Sequence, residues 1–165
     1  MMKSGVGAYA VAVGDLVVGA VVVVNAVGDV LSESGDIISG MRSRDGKALP
    51  IRVGSCWKKQ PDADLFSQRA VGTTTNTTIG AIVTNGRFDK AQLKKIAALG
   101  SNGMVRTIRP VNTTADGDSL YAASIGTVSA EISLTGTLAA YVVEQAVRRA
   151  VLKAEPMYGI PAALP

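Results

Sequence analysis

Three short stretches of this sequence hold side chains that could act together on a carbonyl group. The first is the Asn76–Thr77 junction, where a long polar stretch gives way abruptly to the alternating segment TTIGAIVTN at 77–85. A threonine hydroxyl held against the preceding peptide carbonyl can attack it, and the resulting ester hydrolyses and frees the threonine amine. That amine, with an ordinary pKa near ~7.7–8, then lies beside its own hydroxyl and can act as the general base. The same residues also suit a Thr-rich loop entering a strand. The second is Asn25, which ends the run LVVGAVVVVN at 16–25. Its amide could donate to a developing oxyanion, a contribution typically worth about 3 kcal/mol, or it could simply form a turn before Gly28. The third is Asp116-Gly117-Asp118. Its carboxylates could orient an amine and tune its protonation, or cap a tight turn; as a calcium loop it lacks the full EF-hand ligand set.

What the sequence lacks narrows the chemistry further. There is no histidine among the 165 residues and only one cysteine, Cys56. Ser-His-Asp and Cys-His catalysis are therefore excluded, as are the commonest zinc sites. A free α-amine is one of the few bases left to a hydrolase of this composition. The single thiol cannot form an internal disulfide, which favours a reducing compartment. Lys58 and Lys59 are close to Cys56 in sequence, but nothing places them on its sulfur, and the thiol is read as inert. The net charge of +4 is spread over small clusters, Lys58–Lys59, Lys94–Lys95 and Arg148–Arg149, with only Trp57 as an aromatic neighbour. That pattern describes solvated faces rather than a nucleic-acid surface. No signal peptide is visible, and the apolar run from Leu16 to Val24 is too short to span a bilayer. A cytoplasmic protein with no membrane contact is expected.

The elements that must position these residues can be read from periodicity. Residues 5 to 13 and 16 to 25 form two strands joined by a turn at Gly14–Asp15, and the β-branched run of the second predicts burial on both faces. Residues 26 to 75 show little periodicity; Ile37–Met41 and Leu49–Val53 are candidate short strands, and 57–75 reads as a linker. The strand at 77–85 is followed by a helix capped by Asp89, KAQLKKIAALG, which Gly100 and Gly103 are expected to interrupt or end. A polar turn at 112–118 leads to a strand over Leu120–Ile125. The last helix covers 134–154, with Leu138, Val142, Ala146 and Val147 facing inward, Glu144, Arg148 and Arg149 facing outward, and Pro156 stopping it. Two helices cannot cover both faces of the sheet these strands would make, so a layer is unaccounted for.

In this order and spacing the motifs resemble the DmpA-type aminopeptidases, a group that includes β-peptidyl aminopeptidases and nylon-oligomer hydrolases. The segments that carry the resemblance are KSGVG (3–7), VGAVVVVNAVGDV (18–30), NTTIGAIVTNG (76–86), KAQLKKIA (90–97), RTIRPVNTTADGDSLYA (106–122) and the final helix, together running from Lys3 to about Val151. The resemblance implies an α/β fold, the α/β/β/α sandwich of the DmpA and ornithine-acetyltransferase type, in a precursor that cuts itself in two. It implies cleavage between Asn76 and Thr77, with Thr77 the nucleophile and Asn25 the oxyanion-stabilising asparagine. Asp116 and Asp118 would match the polar segment that holds the nucleophile's amine and can meet the substrate's. Peptides, small amides, esters or amide oligomers would be the substrates, with no metal or organic cofactor.

Two departures from the family pattern stand out. Asn112 occupies a place where the family often has histidine, a difference that bears on substrate choice. The family also carries a long upstream region ending in a Gly-rich stretch with a catalytic lysine, and Lys3 belongs to the KSGVG segment rather than to that stretch. The chain thus reads as a single incomplete domain, with 1–76 the end of one chain and 77–165 the other. Three functions follow as expectations. The first is a self-processing N-terminal-threonine hydrolase. The second is an inactive fragment that assembles with itself or with an upstream half. The third is an acyltransferase of related fold.

Overall fold

The computed structural model describes residues 2–40, 76–114 and 116–163. The expected strand at 49–53, the linker at 57–75, Cys56, Trp57 and the Lys58–Lys59 pair lie outside the described residues, as does Met41.

Strands β1 (Val6–Val13) and β2 (Leu16–Val23) form an antiparallel hairpin in which Val13 faces Leu16 across the turn. Strand β5 (Ile79–Gly86) pairs antiparallel with β2, and β7 (Ser119–Val128) pairs parallel with β5. The main sheet is therefore ordered β1-β2-β5-β7. A second, small sheet of order β4-β3-β6 is built from β3 (Asp29–Leu31), β4 (Ile37–Ser39) and β6 (Ile108–Arg109). Strand β4 falls within the expected 37–41 segment; β3, only three residues long, has no periodicity by which it could be found.

Helices α1 (Lys90–Thr107) and α2 (Ile132–Leu152) cover one face of the main sheet and pack on each other. Asp89 caps α1 as expected, accepting from the Gln92 N–H at 2.8 Å while the Gln92 side chain returns a bond to the Asp89 N–H at 2.9 Å. The helix does not stop at Gly100 or Gly103 but continues to Thr107. The two glycines serve contact instead of termination. A Cβ at Gly103 would strike the Ala140 carbonyl of α2 and lie 2.9 Å from the Glu144 nitrogen, and one at Gly100 would strike Ile82 of β5. The close approach of two helices and a strand requires residues without side chains there, and that contact outweighs the helix-breaking tendency.

Strand β2 also differs from expectation. Its Leu16, Val18, Ala20 and Val22 are buried, whereas Val17, Val21 and Val23 are 42–48% exposed. Among the described residues the helices cover only one side, so half of the β-branched run faces outward. The same bare face takes in Ile79 and Val83 of β5 and Tyr121 of β7, by register with β2. Helix α2 buries Val142, Ala146 and Val147, with Leu138 partly buried against the core.

Arg148, expected to face solvent, is 7% exposed. Its guanidinium is held at 2.7 Å by partly buried Glu144, at 3.2 Å by the Leu31 carbonyl and at 3.3 Å by Glu33. The small sheet covers this position, and the guanidinium ties β3 and the following turn to α2. No helix among the described residues is long and apolar enough to cross a membrane.

Candidate active site

Sheet topology brings the three candidate stretches to one end of the main sheet. Strand β2 runs toward that end and β5 starts from it, because the two are antiparallel; β7, parallel to β5, starts there too. Asn25 lies just past β2, Thr77 just before β5, and Asp116–Asp118 just before β7. These strands are neighbours in the sheet, so Asn25 and Thr77, 52 positions apart, and Thr77 and Asp116, 39 apart, become adjacent.

The Asn76–Thr77 peptide is held from both sides. On the β2 side, the Thr77 N–H donates to the main-chain carbonyl of Asn25 at 2.9 Å. On the β7 side, Asn76 forms a parallel bridge with Asp116, and the Gly117 N–H donates to the Asn76 carbonyl at 2.9 Å. That same carbonyl oxygen accepts from the Thr77 hydroxyl, Oγ1, at 2.7 Å. The hydroxyl therefore lies against the carbonyl that precedes it, and that carbonyl already carries a main-chain donor. This arrangement suits addition of the hydroxyl to the carbonyl carbon.

Of the two adjacent threonines, only Thr77 is placed for this. It is partly buried, whereas Thr78 is fully buried and its Oγ1 has no hydrogen-bond partner among the described residues.

The two aspartates act on the backbone around this peptide. Asp118 Oδ1 accepts from the Thr78 N–H at 2.6 Å and Oδ2 from the Asn112 N–H at 3.1 Å. Asp116 Oδ2 accepts from the N–H and the hydroxyl of Thr113 at 3.1 and 2.6 Å, and Oδ1 from the Val27 N–H at 3.4 Å. The 112–118 turn is thus stapled to β5 by one carboxylate and to the segment after β2 by the other. Asn112, at φ 55°, adopts the left-handed conformation in this turn, one that asparagine tolerates better than most residues. Asp118 and Asn112 also line a cleft of about 280 Å³ against α1, with Lys94, Ser101 and Met104 on its wall. Among the described residues no three His, Cys, Asp or Glu side chains gather as a metal site.

Sequence reasoning singled out Asn25 for its amide; the structure adds its carbonyl, which receives the Thr77 N–H. It overlooked Gly117, whose donor is main-chain and leaves no mark in residue type except the small residue between two aspartates. It also overlooked Thr113, though a hydroxyl three residues before an aspartate is a recognisable turn signal.

Comparison with known proteins places the chain in a family and a fold. The chain is 32% identical over 183 residues to an uncharacterized aminopeptidase of Mycobacterium leprae, covering 98% of this chain and 48% of that protein. It is 35% identical over 121 residues to the 6-aminohexanoate-oligomer endohydrolase of a Kocuria species, covering 72% of this chain and 32% of that one. The L-aminopeptidase D-Ala-esterase/amidase of Ochrobactrum anthropi, a prototype of the serine aminopeptidases with a variant Ntn hydrolase fold, superposes with a TM-score of 0.63 at 21% identity. That alignment covers 99% of this chain and 46% of that one. A β-aminopeptidase of a Burkholderia species gives a TM-score of 0.59 at 20% identity, covering 99% and 46% of the two chains. The fold is thus that of the Ntn-hydrolase aminopeptidases, and the chain spans about half the length of the curated relatives it matches. The motifs that meet at one sheet end belong to a pattern matched from residue 1 to residue 163, and by that match the chain belongs to peptidase family S58.

Proposed function

We propose that this chain is the nucleophile-bearing part of a self-processing N-terminal-threonine hydrolase of peptide or small amide bonds. The observation that carries the reading is the 2.7 Å contact between Thr77 Oγ1 and the Asn76 carbonyl oxygen. Attack by Oγ1 on the Asn76 carbonyl carbon converts the peptide to an ester, and water then releases Asn76 as a carboxylate and Thr77 as a free amine. That amine stays within reach of the Asn25 carbonyl, its acceptor in the intact chain. It then takes the hydroxyl proton when Oγ1 attacks a substrate amide. The acyl group passes to Thr77, the amine product leaves, and a second water regenerates the hydroxyl. Asn25 stabilises the oxyanion through its amide, and Asp116 and Asp118 hold the turn that faces the nucleophile. The names of the relatives, aminopeptidase and oligomer endohydrolase, support a substrate that ends in or contains an amide.

Intact mass after expression and storage tests the first step. The expected products are fragments 1–76 and 77–165, and Thr77→Ala should abolish both cutting and turnover. A wild-type chain that remains whole under conditions where it is folded would overturn the assignment.

The bare sheet face supports a second element of the proposal. Val17, Val21, Val23, Ile79, Val83 and Tyr121 are each 42–62% exposed on one side of the main sheet. The same side carries an open, largely apolar depression of about 380 Å³ that includes Ala8, Ala10, Gly19 and Val83. Water-exposed apolar area of this extent is usually covered by a partner. Since the matched part is only 48% of the M. leprae relative, the occupant we propose is a polypeptide layer corresponding to the remainder of such relatives. Co-expression with that region should give a one-to-one complex and increased cleavage. Self-association of the chain alone, unchanged by that region, would point instead to a second copy as the occupant.

A further inference from the structure

We propose that the main-chain N–H of Gly117 is an oxyanion donor for bond breaking at Thr77, both when the chain cuts itself and when a substrate carbonyl takes the place of Asn76. This rests on the reading of Thr77 as nucleophile and adds to it the group that receives the developing charge. In the intact chain the Gly117 N–H already points at the Asn76 carbonyl oxygen, 2.9 Å away, while Thr77 Oγ1 lies 2.7 Å from the same atom. When Oγ1 bonds to the carbonyl carbon, the C=O electron pair moves onto that oxygen, and the hydrogen bond from Gly117 strengthens as the charge grows. Collapse re-forms the C=O and breaks the C–N bond; the nitrogen keeps its electron pair and takes the hydroxyl proton. A donor in place before the reaction needs no reorganisation at the moment of attack.

The surroundings hold this donor still. Gly117 lies between the two aspartates, and both are pinned on their outer sides. Asp116 is held by Thr113 and Val27, and Asp118 by Thr78 and Asn112. Asn76 and Asp116 are bridged in parallel, which fixes the carbonyl against the donor strand. The residue type follows from the same closeness. A Cβ on Gly117 would lie 2.9 Å from Thr77 Oγ1 and 3.7 Å from its Cγ2. Any side chain there would occupy the space of the nucleophile, so a donor this near to Thr77 has to come from a glycine. The two carboxylates are then positioning residues for a main-chain group, which accounts for the Asp-Gly-Asp order.

Amide-to-ester replacement tests the donor directly. Glycolic acid at position 117 removes the N–H and leaves the size unchanged; the matching hydroxy acid at Ser119 removes the neighbouring bond to the Thr78 carbonyl, 2.9 Å long and outside the reacting group. Cleavage is followed by intact mass in the folded full chain. The replacement at 117 should slow cutting by about 10²–10³-fold, with a thermal midpoint close to that of the parent, and the one at 119 should stay within a few-fold. Gly117→Ala, which needs no chemical synthesis, should slow cutting at least about tenfold by displacing Oγ1. Cutting at the parent rate in the 117 ester or in Gly117→Ala, or equal slowing in both esters, would overturn the role of Gly117 while leaving Thr77 in place. A parent that never cuts, or a Thr77→Ala chain that does, would instead remove the nucleophile and this inference with it.

Discussion

Removing the Asp118 carboxylate should loosen the start of β5 by an amount the geometry bounds. Two N–H groups depend on it, those of Thr78 at 2.6 Å and Asn112 at 3.1 Å. Thr78 is fully buried, so its N–H has no ready access to water, and loss of a charge-assisted bond there costs about 1.5–3 kcal/mol. Asn112 is exposed, and water replaces most of what its N–H loses, leaving roughly 0.5 kcal/mol. Asp118→Ala should therefore cost about 2–3.5 kcal/mol. In Asp118→Asn the amide oxygen can still accept from Thr78, while its NH2 faces the Asn112 N–H and cannot accept. That variant should recover about 1 kcal/mol of the loss. Urea unfolding in a Thr77→Ala background keeps every chain uncut, and a shift in midpoint with an unchanged slope reports stability alone. A loss below about 0.5 kcal/mol for Asp118→Ala, or equal losses for the two variants, would refute the assignment of Asp118 as the clamp between β5 and the 112–118 turn.

Four further outcomes follow from the same coordinates. Thr78→Val replaces a buried hydroxyl that lacks a partner among the described residues, so urea unfolding should show equal or greater stability, by up to about 1 kcal/mol, and mass spectrometry should show cutting intact. Gly103→Ala gains about 1 kcal/mol of helix propensity, yet its methyl meets the Ala140 carbonyl and the Glu144 nitrogen; a net loss of about 1–2 kcal/mol in denaturation is expected. Arg148→Met takes the donor from the Leu31 carbonyl and leaves partly buried Glu144 with only the exposed Arg106 at 3.7 Å; denaturation should show a loss of about 1–3 kcal/mol, with exposed Glu33 contributing little. Glu131 caps α2 by accepting from the Ser133 and Leu134 N–H groups, which hold its carboxyl below the ordinary value of 4.5. A lowered folded-state value gives stability that is present above the unfolded value and lost as pH falls through the folded one, so in denaturation followed against pH Glu131→Gln should lower the plateau above about pH 4.5 and flatten the acid limb below it.

The sequence by itself was enough for the local elements and for the family. The alternation of 5–13 and 77–85, the Asp89 cap and the spacing of α2 are short-range patterns, and each appears in the structure close to where the pattern placed it. The order of the motifs pointed to the family without any coordinates, as the family match over residues 1–163 bears out. What failed was whatever depended on neighbours distant in sequence. Gly100 and Gly103 looked like helix ends because propensity is local, whereas what needs their emptiness, Ile82 of β5 for the first and the α2 backbone for the second, is remote in sequence. Arg148 looked solvated because its cover, β3 and the turn after it, comes from the other end of the chain. Burial of β2 on both faces was inferred from composition, which counts apolar residues but not the layers available to meet them.

The arrangement at Thr77 belongs to the same division. Residue types nominated Thr77, Asn25, Asp116 and Asp118, but only the pairing of β2, β5 and β7 brings them to one sheet end. The groups that touch the Asn76–Thr77 peptide there are largely main-chain, the Asn25 carbonyl and the Gly117 N–H. Every residue but proline carries both groups, so sequence cannot single them out; their direction is fixed only when the strands are hydrogen-bonded in register.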